Sequence, residues 1–322
     1  MSLTQEIKNL AMVDIFAEAK KADLFIGRPY YLDFDKAYLL ITDAWKEKVG
    51  GIPQGTFLLA FYENENDDVD ECLLLRALRP AKLPTDNDVI ASMVEYYKDN
   101  LKTSGKKNQL DDFTKYTFSF SGLECRILGT FYRDESGKIQ FGADVENYYS
   151  AHNYVAYKPV GEVLEQIVNF RDGNTSIGCN TDYRIGKIRY SSSRRFQDKH
   201  PDVPVYVSPS DFLGKRTALF GMTRTGKSNT VKKVIEATTE VSEKAASSIS
   251  SNILKNTQNW FIAHLNNEDE LKEIKKFYDF SDFCDSLIRY SSGSDKGFIR
   301  MKTYSNAFVV PVQIDRFTAQ GD

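Results

Sequence analysis

Cysteine is scarce and scattered in this chain of 322 residues: Cys72, Cys125, Cys179 and Cys284 stand far apart, with three histidines besides. No CxxC pair and no Cys/His spacing of a metal site occurs, so a disulfide framework and a zinc ribbon are excluded. A reducing cytoplasm is the expected setting. Long apolar runs are missing as well, and none approaches the roughly 20 residues of a membrane span. The first ten residues carry an acid and no apolar core segment, which does not read as a secretory leader. A surplus of one charge is the third absence: 42 basic against 45 acidic residues give a net charge of -3. Nothing global draws the chain to nucleic acid, so any DNA site must come from a local cluster or from several copies together. The 41% hydrophobic content can still fill a sizeable core, and the length fits two domains or one large one.

Against these absences one motif stands complete. Gly221-Met222-Thr223-Arg224-Thr225-Gly226-Lys227-Ser228 fits G-x-x-x-x-G-K-[ST] at every fixed position. Short apolar runs precede it, Pro204–Val207 and Thr217–Phe220, both of strand type. After it Val231, Val234 and Ile235 recur at helical spacing. Strand, glycine loop and helix is the order that phosphate binding requires. The glycines let the backbone turn its N–H groups inward, and the helix adds its unpaired amides and positive end. Lys227 would neutralise the β- and γ-phosphates of ATP, and the Ser228 hydroxyl would ligate Mg²⁺. A glycine-rich turn that binds nothing is the alternative, and the strand–helix setting argues against it.

Residues 3–20 carry apolar side chains at roughly helical spacing, predicting a short leading helix. From Leu24 to about Tyr157 the texture is that of strands. They are expected at 24–28, 38–42, 56–62, 72–77, 114–120 and 126–132, with Gly-, Asn- and Asp-rich turns between. A small antiparallel barrel or sandwich follows. Two helices interrupt it, one opened by Pro84 and Thr85 and running to Leu101, the other at 160–170. The polar stretch 102–112 reads as a loop. Tyr148, Tyr149, His152, Tyr154 and Tyr157 could stack on bases or pack a barrel rim, and the rim is the favoured reading.

Arg184, Lys187, Arg189, Arg194, Arg195 and Lys199 make the densest basic segment, either a contact for phosphates or a solvated linker. Beyond the loop helix, 238–251 is rich in Ser and Ala, then Trp260–Leu265 reads as a buried strand. Helices are expected from about 267 and from Ser281-Asp282, then a hairpin of 298–304 with 308–314, its second strand at an edge because of Pro311. Hydrolysis needs a second apolar strand ending in an acid. The one such run after Ser228 ends at Asp315, and it is broken by Pro311 and lacks a following Glu. The stretch between the loop helix and Trp260 is also short for the central strands, since a βαβ unit takes about 30 residues. The chain thus supports phosphate binding better than hydrolysis.

The run Thr217–Val231 resembles the first ATPase motif of HerA-type proteins, the hexameric DNA translocases of the HerA/FtsK branch. The β region before it resembles their N-terminal HAS-barrel, and 257–271 is similar to their late ATPase strand and following helix. The family's middle, with its second acidic motif, glutamine sensor strand and arginine finger, has no counterpart between about Ala237 and Leu254. The resemblance implies an α/β P-loop NTPase fold, RecA/FtsK-like and incomplete, behind a mainly antiparallel β-barrel. It divides the chain into a barrel domain with helical insertion at 1–158, a linker helix and basic segment at 159–200, and a partial ATPase domain at 201–322. It assigns Gly221, Gly226, Lys227 and Ser228 to phosphate and Mg²⁺, with Asn229 at the α-phosphate and Met222, Thr223, Arg224 and Thr225 lining the loop. Arg289 and Arg300 have no motif and are expected to be surface arginines.

The implied function is an ATP-binding subunit of a homo-oligomeric, hexameric DNA translocase or helicase, without a membrane. Bacterial anti-phage versions pair with a nuclease or an NAD-consuming sirtuin-like effector. Six copies would ring a channel with their basic segments, so that a chain of net charge -3 could grip DNA. A non-catalytic scaffold, docking an effector through the barrel, is the alternative from another class. A small-molecule kinase also uses such a loop, but seldom behind a long β domain.

Overall fold

Short runs rich in aliphatic and aromatic residues, separated by polar turns, build seven strands from Phe25 onward: β1 (Phe25–Leu32), β2 (Lys36–Thr42), β3 (Phe57–Tyr62), β4 (Glu71–Ala81), β5 (Phe120–Arg133), β6 (Ile139–Gly142) and β7 (Tyr154–Tyr157). The computed structural model describes residues 14–63, 71–101, 115–116, 118–171, 182–193, 201–212, 214–221, 225–239, 258–265, 272 and 296–318. The strands run β2-β1-β7-β3-β4-β5, all antiparallel, and a β2–β5 pairing closes them into a six-stranded barrel with β6 added on β5. Closure leaves no open edge among those six, which removes the usual template for unwanted pairing. Every second side chain points inward, and Ile26, Leu39, Leu58, Ala60, Leu75 and Cys125 are each 4% exposed or less within one apolar cluster. A six-stranded barrel is narrow enough for side chains alone to fill it.

This barrel belongs to a unit formed by Lys20–Ile52 and Thr56–Lys158. Two helices attach to it. The first, α2 (Asp43–Lys48), is capped by Thr42, whose hydroxyl accepts from the Trp45 amide at 3.3 Å. Just beyond its C-terminus the buried Lys158 ammonium donates to the Val49 and Gly51 carbonyls at 2.8 and 2.9 Å, where a cation meets the negative helix end. The second, α3 (Asp86–Leu101), starts where the Val89 amide reaches the Thr85 carbonyl at 3.0 Å. The aromatic run builds the barrel wall: Tyr154 and Tyr157 are buried in β7, and Tyr149 stacks on Tyr62 at 4.0 Å. The strand expected at 114–120 is not formed, for Lys115, Tyr116 and Phe118 are helical and β5 begins at Phe120. The loop expected at 102–112 lies outside the described residues.

The other unit comprises Met1–Ala19, Pro53–Gly55 and Pro159–Asp322. Of the leading helix, α1 (Ile15–Glu18) is described, with Asp14 capping the Phe16 amide at 3.0 Å. Then come α4 (Gly161–Val168), β8 (Tyr183–Ile188), β9 (Pro204–Val207), β10 (Thr217–Phe220), α5 (Lys227–Thr239), β11 (Asn259–Ile262), β12 (Phe298–Lys302) and β13 (Val310–Ile314). The strand order is β10-β11-β12-β13-β8-β9, parallel only between β10 and β11 and antiparallel at every other pair. The sheet is therefore mixed, and the loop-bearing strand β10 has one described neighbour where a doubly wound nucleotide-binding sheet would give it two.

Three expectations are corrected here. Residues 183–188, read as part of a basic linker, form a strand of the sheet. β13 is interior, between β12 and β8, although it holds Pro311. The Pro311 carbonyl accepts from the Arg189 amide at 3.3 Å, just past the end of β8. The missing N–H therefore falls where that ladder stops, and it costs at most one terminal hydrogen bond. Arg300 is 1% exposed, with its guanidinium 4.7 Å from the Phe298 ring centre, and so is a core residue of β12 rather than a surface cation. The stretches 240–257, 266–271 and 273–295, with Arg289 and the helices expected there save Lys272, which is helical, lie outside the described residues.

Candidate phosphate-binding site

β10 ends at Phe220, whose carbonyl accepts from the Ala263 amide at 2.9 Å, the last rung of its parallel pairing with β11. Gly221 then turns the chain with φ +146°, and a Cβ there would lie 2.8 Å from the Ala263 Cβ and 3.0 Å from the Thr225 hydroxyl. Met222, Thr223 and Arg224 lie outside the described residues. Thr225 is 3% exposed, and its carbonyl accepts from the Gly297 amide at 3.0 Å. Gly226 has φ +95°, and a Cβ there would be 2.8 Å from the Gly297 nitrogen. Both glycines are thus required by conformation and by space.

α5 springs from Gly226. The Thr230 amide donates to the Gly226 carbonyl at 3.0 Å, the first rung of the helical ladder. The amides of Lys227, Ser228 and Asn229 precede that rung and have no helical acceptor. They add to the positive end of a 13-residue helix with no acid in its first turn. Lys227 Nζ donates to the Gly221 carbonyl, so the cation closes back over its own loop. Ser228 is exposed. Asn229 is held by backbone: its Nδ2 donates to the Asp315 carbonyl at 2.9 Å and its Oδ1 accepts from the Phe317 amide at 2.7 Å. Its amide faces the strap after β13.

The helix is fastened to the sheet by polar contacts. Lys233 Nζ donates to the Tyr183 hydroxyl at 2.8 Å and pairs with Glu236 at 3.1 Å, while the Tyr183 hydroxyl donates to the Glu236 carboxylate. Burial and then the Glu236 bond raise the Tyr183 phenol above its ordinary range. The Tyr183 bond, helped by Lys233, draws the Glu236 carboxyl below its own. Of the three apolar residues of the helical pattern, Val231 and Ile235 are 44% and 52% exposed and Val234 is half-buried. The helix therefore does not dock through Val231 and Ile235.

Of the basic segment, Arg184 pairs with Asp315 at 3.0 Å and Lys187 with Asp202 at 2.6 Å. Arg189 is 3% exposed, bonded to the Ser191 and Ser192 carbonyls at 2.9 Å each and to Gln313 Oε1 at 2.7 Å. These three cations are engaged within the fold. Arg194, Arg195 and Lys199 lie outside the described residues. Two features of the site carried no motif in the sequence: the turn at Lys296 and Gly297, and Gln313 beneath it. Only the polar run Ser291–Gly297 hinted at a turn there.

Does this chemistry suit a nucleotide and its metal? The described part of the loop fits a phosphate: two spots that only glycine fills, free helix-end amides and a lysine. Ser228, exposed at the helix start, is the residue that would hold Mg²⁺. No group of three or more His, Cys, Asp or Glu side chains able to hold a metal occurs among the described residues.

A strand, a glycine turn and a helix opening on lysine define an element of the phosphate-binding kind. Residues 183–253 match the family model described as helicase HerA, central domain, a span that begins at β8 and runs through the loop and α5. The match covers under a quarter of the chain, so similarity to that domain is what it establishes. Together with the closed barrel, it supports an ATPase-type domain of the HerA/FtsK kind. No curated protein matches the chain. No helix among the described residues is long and apolar enough to cross a membrane.

Proposed function

We propose that this chain is the ATP-binding subunit of a HerA-like hexameric DNA translocase or helicase complex, acting in the cytoplasm in anti-phage defence. The effector beside it would be a nuclease or an NAD-consuming enzyme. The observation that carries the proposal is the loop itself, where Gly221 and Gly226 admit no Cβ and α5 opens on Lys227. The similarity of residues 183–253 to the central domain of helicase HerA supports it. In this reading Gly221, Met222, Thr223, Arg224, Thr225 and Gly226 wrap the phosphates. Lys227 neutralises them, Ser228 holds Mg²⁺, and Asn229 stands at the α-phosphate. In this reading 1–158 is the barrel domain and 201–322 the partial ATPase domain, with β8 of the segment 159–200 contributing a strand to the latter's sheet.

ATP affinity of the parent protein against Lys227→Ala tests the proposal. A loss of about 100-fold is expected, the size of one charge-assisted hydrogen bond to phosphate. Equal affinity for the two removes the claim.

A non-catalytic scaffold is the second reading, favoured by one observation. Asp315, the acid that ends the last apolar strand, is paired with Arg184 at 3.0 Å rather than presented to a metal. ATP turnover in the presence of DNA separates the two: measurable hydrolysis sinks the scaffold, and zero turnover with intact effector binding favours it.

A further inference from the structure

An uninterrupted relay of hydrogen bonds runs under the phosphate loop from a residue that no motif marks. The Arg189 guanidinium, buried and lying 4.6 Å from the Phe298 ring centre, donates to Gln313 Oε1 at 2.7 Å. That bond fixes which way the Gln313 amide faces, because an arginine can only donate. The other end, Nε2, must then act as donor, and it reaches the Lys296 carbonyl at 2.8 Å. The next residue, Gly297, donates its amide to the Thr225 carbonyl at 3.0 Å and accepts from the Ile314 amide at 2.8 Å. The relay ends against Gly226, where even a methyl group would stand 2.8 Å from the Gly297 nitrogen.

The geometry points to Gln313 as a positioning residue for the phosphate loop, with Arg189 setting its orientation. Gln313 acts through the 296–297 turn. It holds the 296–297 turn at the height at which the Gly297 amide meets Thr225, and the packing at Gly226 leaves the loop no slack to follow a turn that sags. The loop amides must converge on a phosphate within a few tenths of an ångström, since charge-assisted bonds weaken steeply with distance and angle. Arg189 is also bonded to the Ser191 and Ser192 carbonyls, within the basic segment to which it belongs. A displacement of that segment therefore has a bonded path to the nucleotide site. This inference rests on the nucleotide reading above.

The test uses Gln313→Glu and Gln313→Met in the full chain. Gln313→Glu keeps an acceptor for Arg189, now as an ion pair, but turns an oxygen toward the Lys296 carbonyl in place of a donor. Its melting temperature should stay at or above that of the parent, while its ATP dissociation constant rises about tenfold. Hydrogen exchange of the Gly297 amide in nucleotide-free protein should speed up by a similar factor, a readout independent of any bound nucleotide. Gln313→Met, which fills the same volume without either bond, should weaken ATP equally, and restoring a donor with Gln313→Lys should not rescue it, because Arg189 would then face a like charge. The inference is overturned if Gln313→Glu binds ATP as the parent does and protects the Gly297 amide as well. A parent protein that binds no ATP sinks the nucleotide reading instead, and the exchange rate at Gly297 then still reports whether Gln313 holds the turn.

Discussion

The barrel and the mixed sheet solve the same problem, pairing every strand, in opposite ways. The barrel closes on itself through the β2–β5 ladder and is filled by aliphatic side chains. Among the described residues the sheet ends at β10 on one side, and the unit that holds it buries Arg189, Asp211, Asn259, Arg300 and Thr303. Closure with an apolar interior gives stability without a reason to bind anything. Buried polar groups are costly unless each finds its partner, so a unit that carries them at both ends of its sheet is organised for placement rather than for bulk stability. The proposed nucleotide site belongs to the sheet unit, and the contrast between the units gives two ways to test that proposal.

The sharpest way to break this contrast is to damage each unit separately. Leu75→Ala in the barrel, at a side chain with 0% exposure, should cost about 2–5 kcal/mol in the denaturant unfolding of that unit. A cost under 1 kcal/mol would show that the interior is not close-packed. Lys227→Ala should do the reverse, with about 100-fold weaker ATP binding and a melting temperature within a few degrees of the parent, because a half-buried surface cation contributes little to folding. Loss of both binding and folding together would mean that the loop lysine is structural.

A third variant asks whether the buried polar cluster serves stability apart from the loop. Asp211 is 2% exposed and accepts from the Thr303 hydroxyl at 2.8 Å and the Ser305 hydroxyl at 2.6 Å. Its backbone carbonyl takes Asn259 Nδ2 at 2.7 Å, beside the start of β11 and so at the end of the sheet away from Gly221. Asp211→Ala removes both bonds, leaving Thr303 its second acceptor, Asn306 Oδ1 at 2.8 Å, but taking from the Ser305 hydroxyl the carboxylate it donates to, and should cost about 1–3 kcal/mol while ATP affinity stays unchanged. A matching fall in affinity would show that the two ends of the sheet are coupled.

The barrel strands could be read from the sequence because short apolar runs and polar turns are local signals. β7 was hidden in an aromatic run, whose rings look the same whether they pack a wall or face solvent. The motif at 221–228 announced a phosphate loop, but nothing local gave the sheet order, since β10 pairs with a strand some forty residues away and β13 with one over a hundred away. Pro311 was misjudged for the same reason: whether a missing N–H matters depends on where the neighbouring strand ends. Arg300 and Arg189 were unreadable as buried groups because burial of arginine is decided by partners such as Phe298 and Gln313 that the spacing does not reveal. The apolar spacing of Val231 and Ile235 marked a helix correctly, yet did not say which face docks.

The smallest expected effect returns to the barrel, where Glu124 is one of its few buried charges. Its carboxylate accepts from Arg79 Nε at 2.7 Å and from Lys36 Nζ at 3.0 Å. The Arg79 bond draws its pKa below the ordinary carboxylate range; burial opposes this, and Lys36 adds to the lowering. A carboxylate whose folded pKa is depressed stabilises the protein above its unfolded value and loses that contribution as pH falls through the folded one. The barrel should therefore lose stability on acidification below about pH 4.5, and Glu124→Gln should remove that part of the slope. Because the Arg79 side chain is 69% exposed and that of Lys36 43%, water screens both partners and the contribution stays under about 1 kcal/mol. Melting curves at pH 7 and pH 3.5 for the two proteins decide it. A parallel fall in both would mean that other carboxylates carry the acid response, and that the barrel's stability owes nothing measurable to its ion trio.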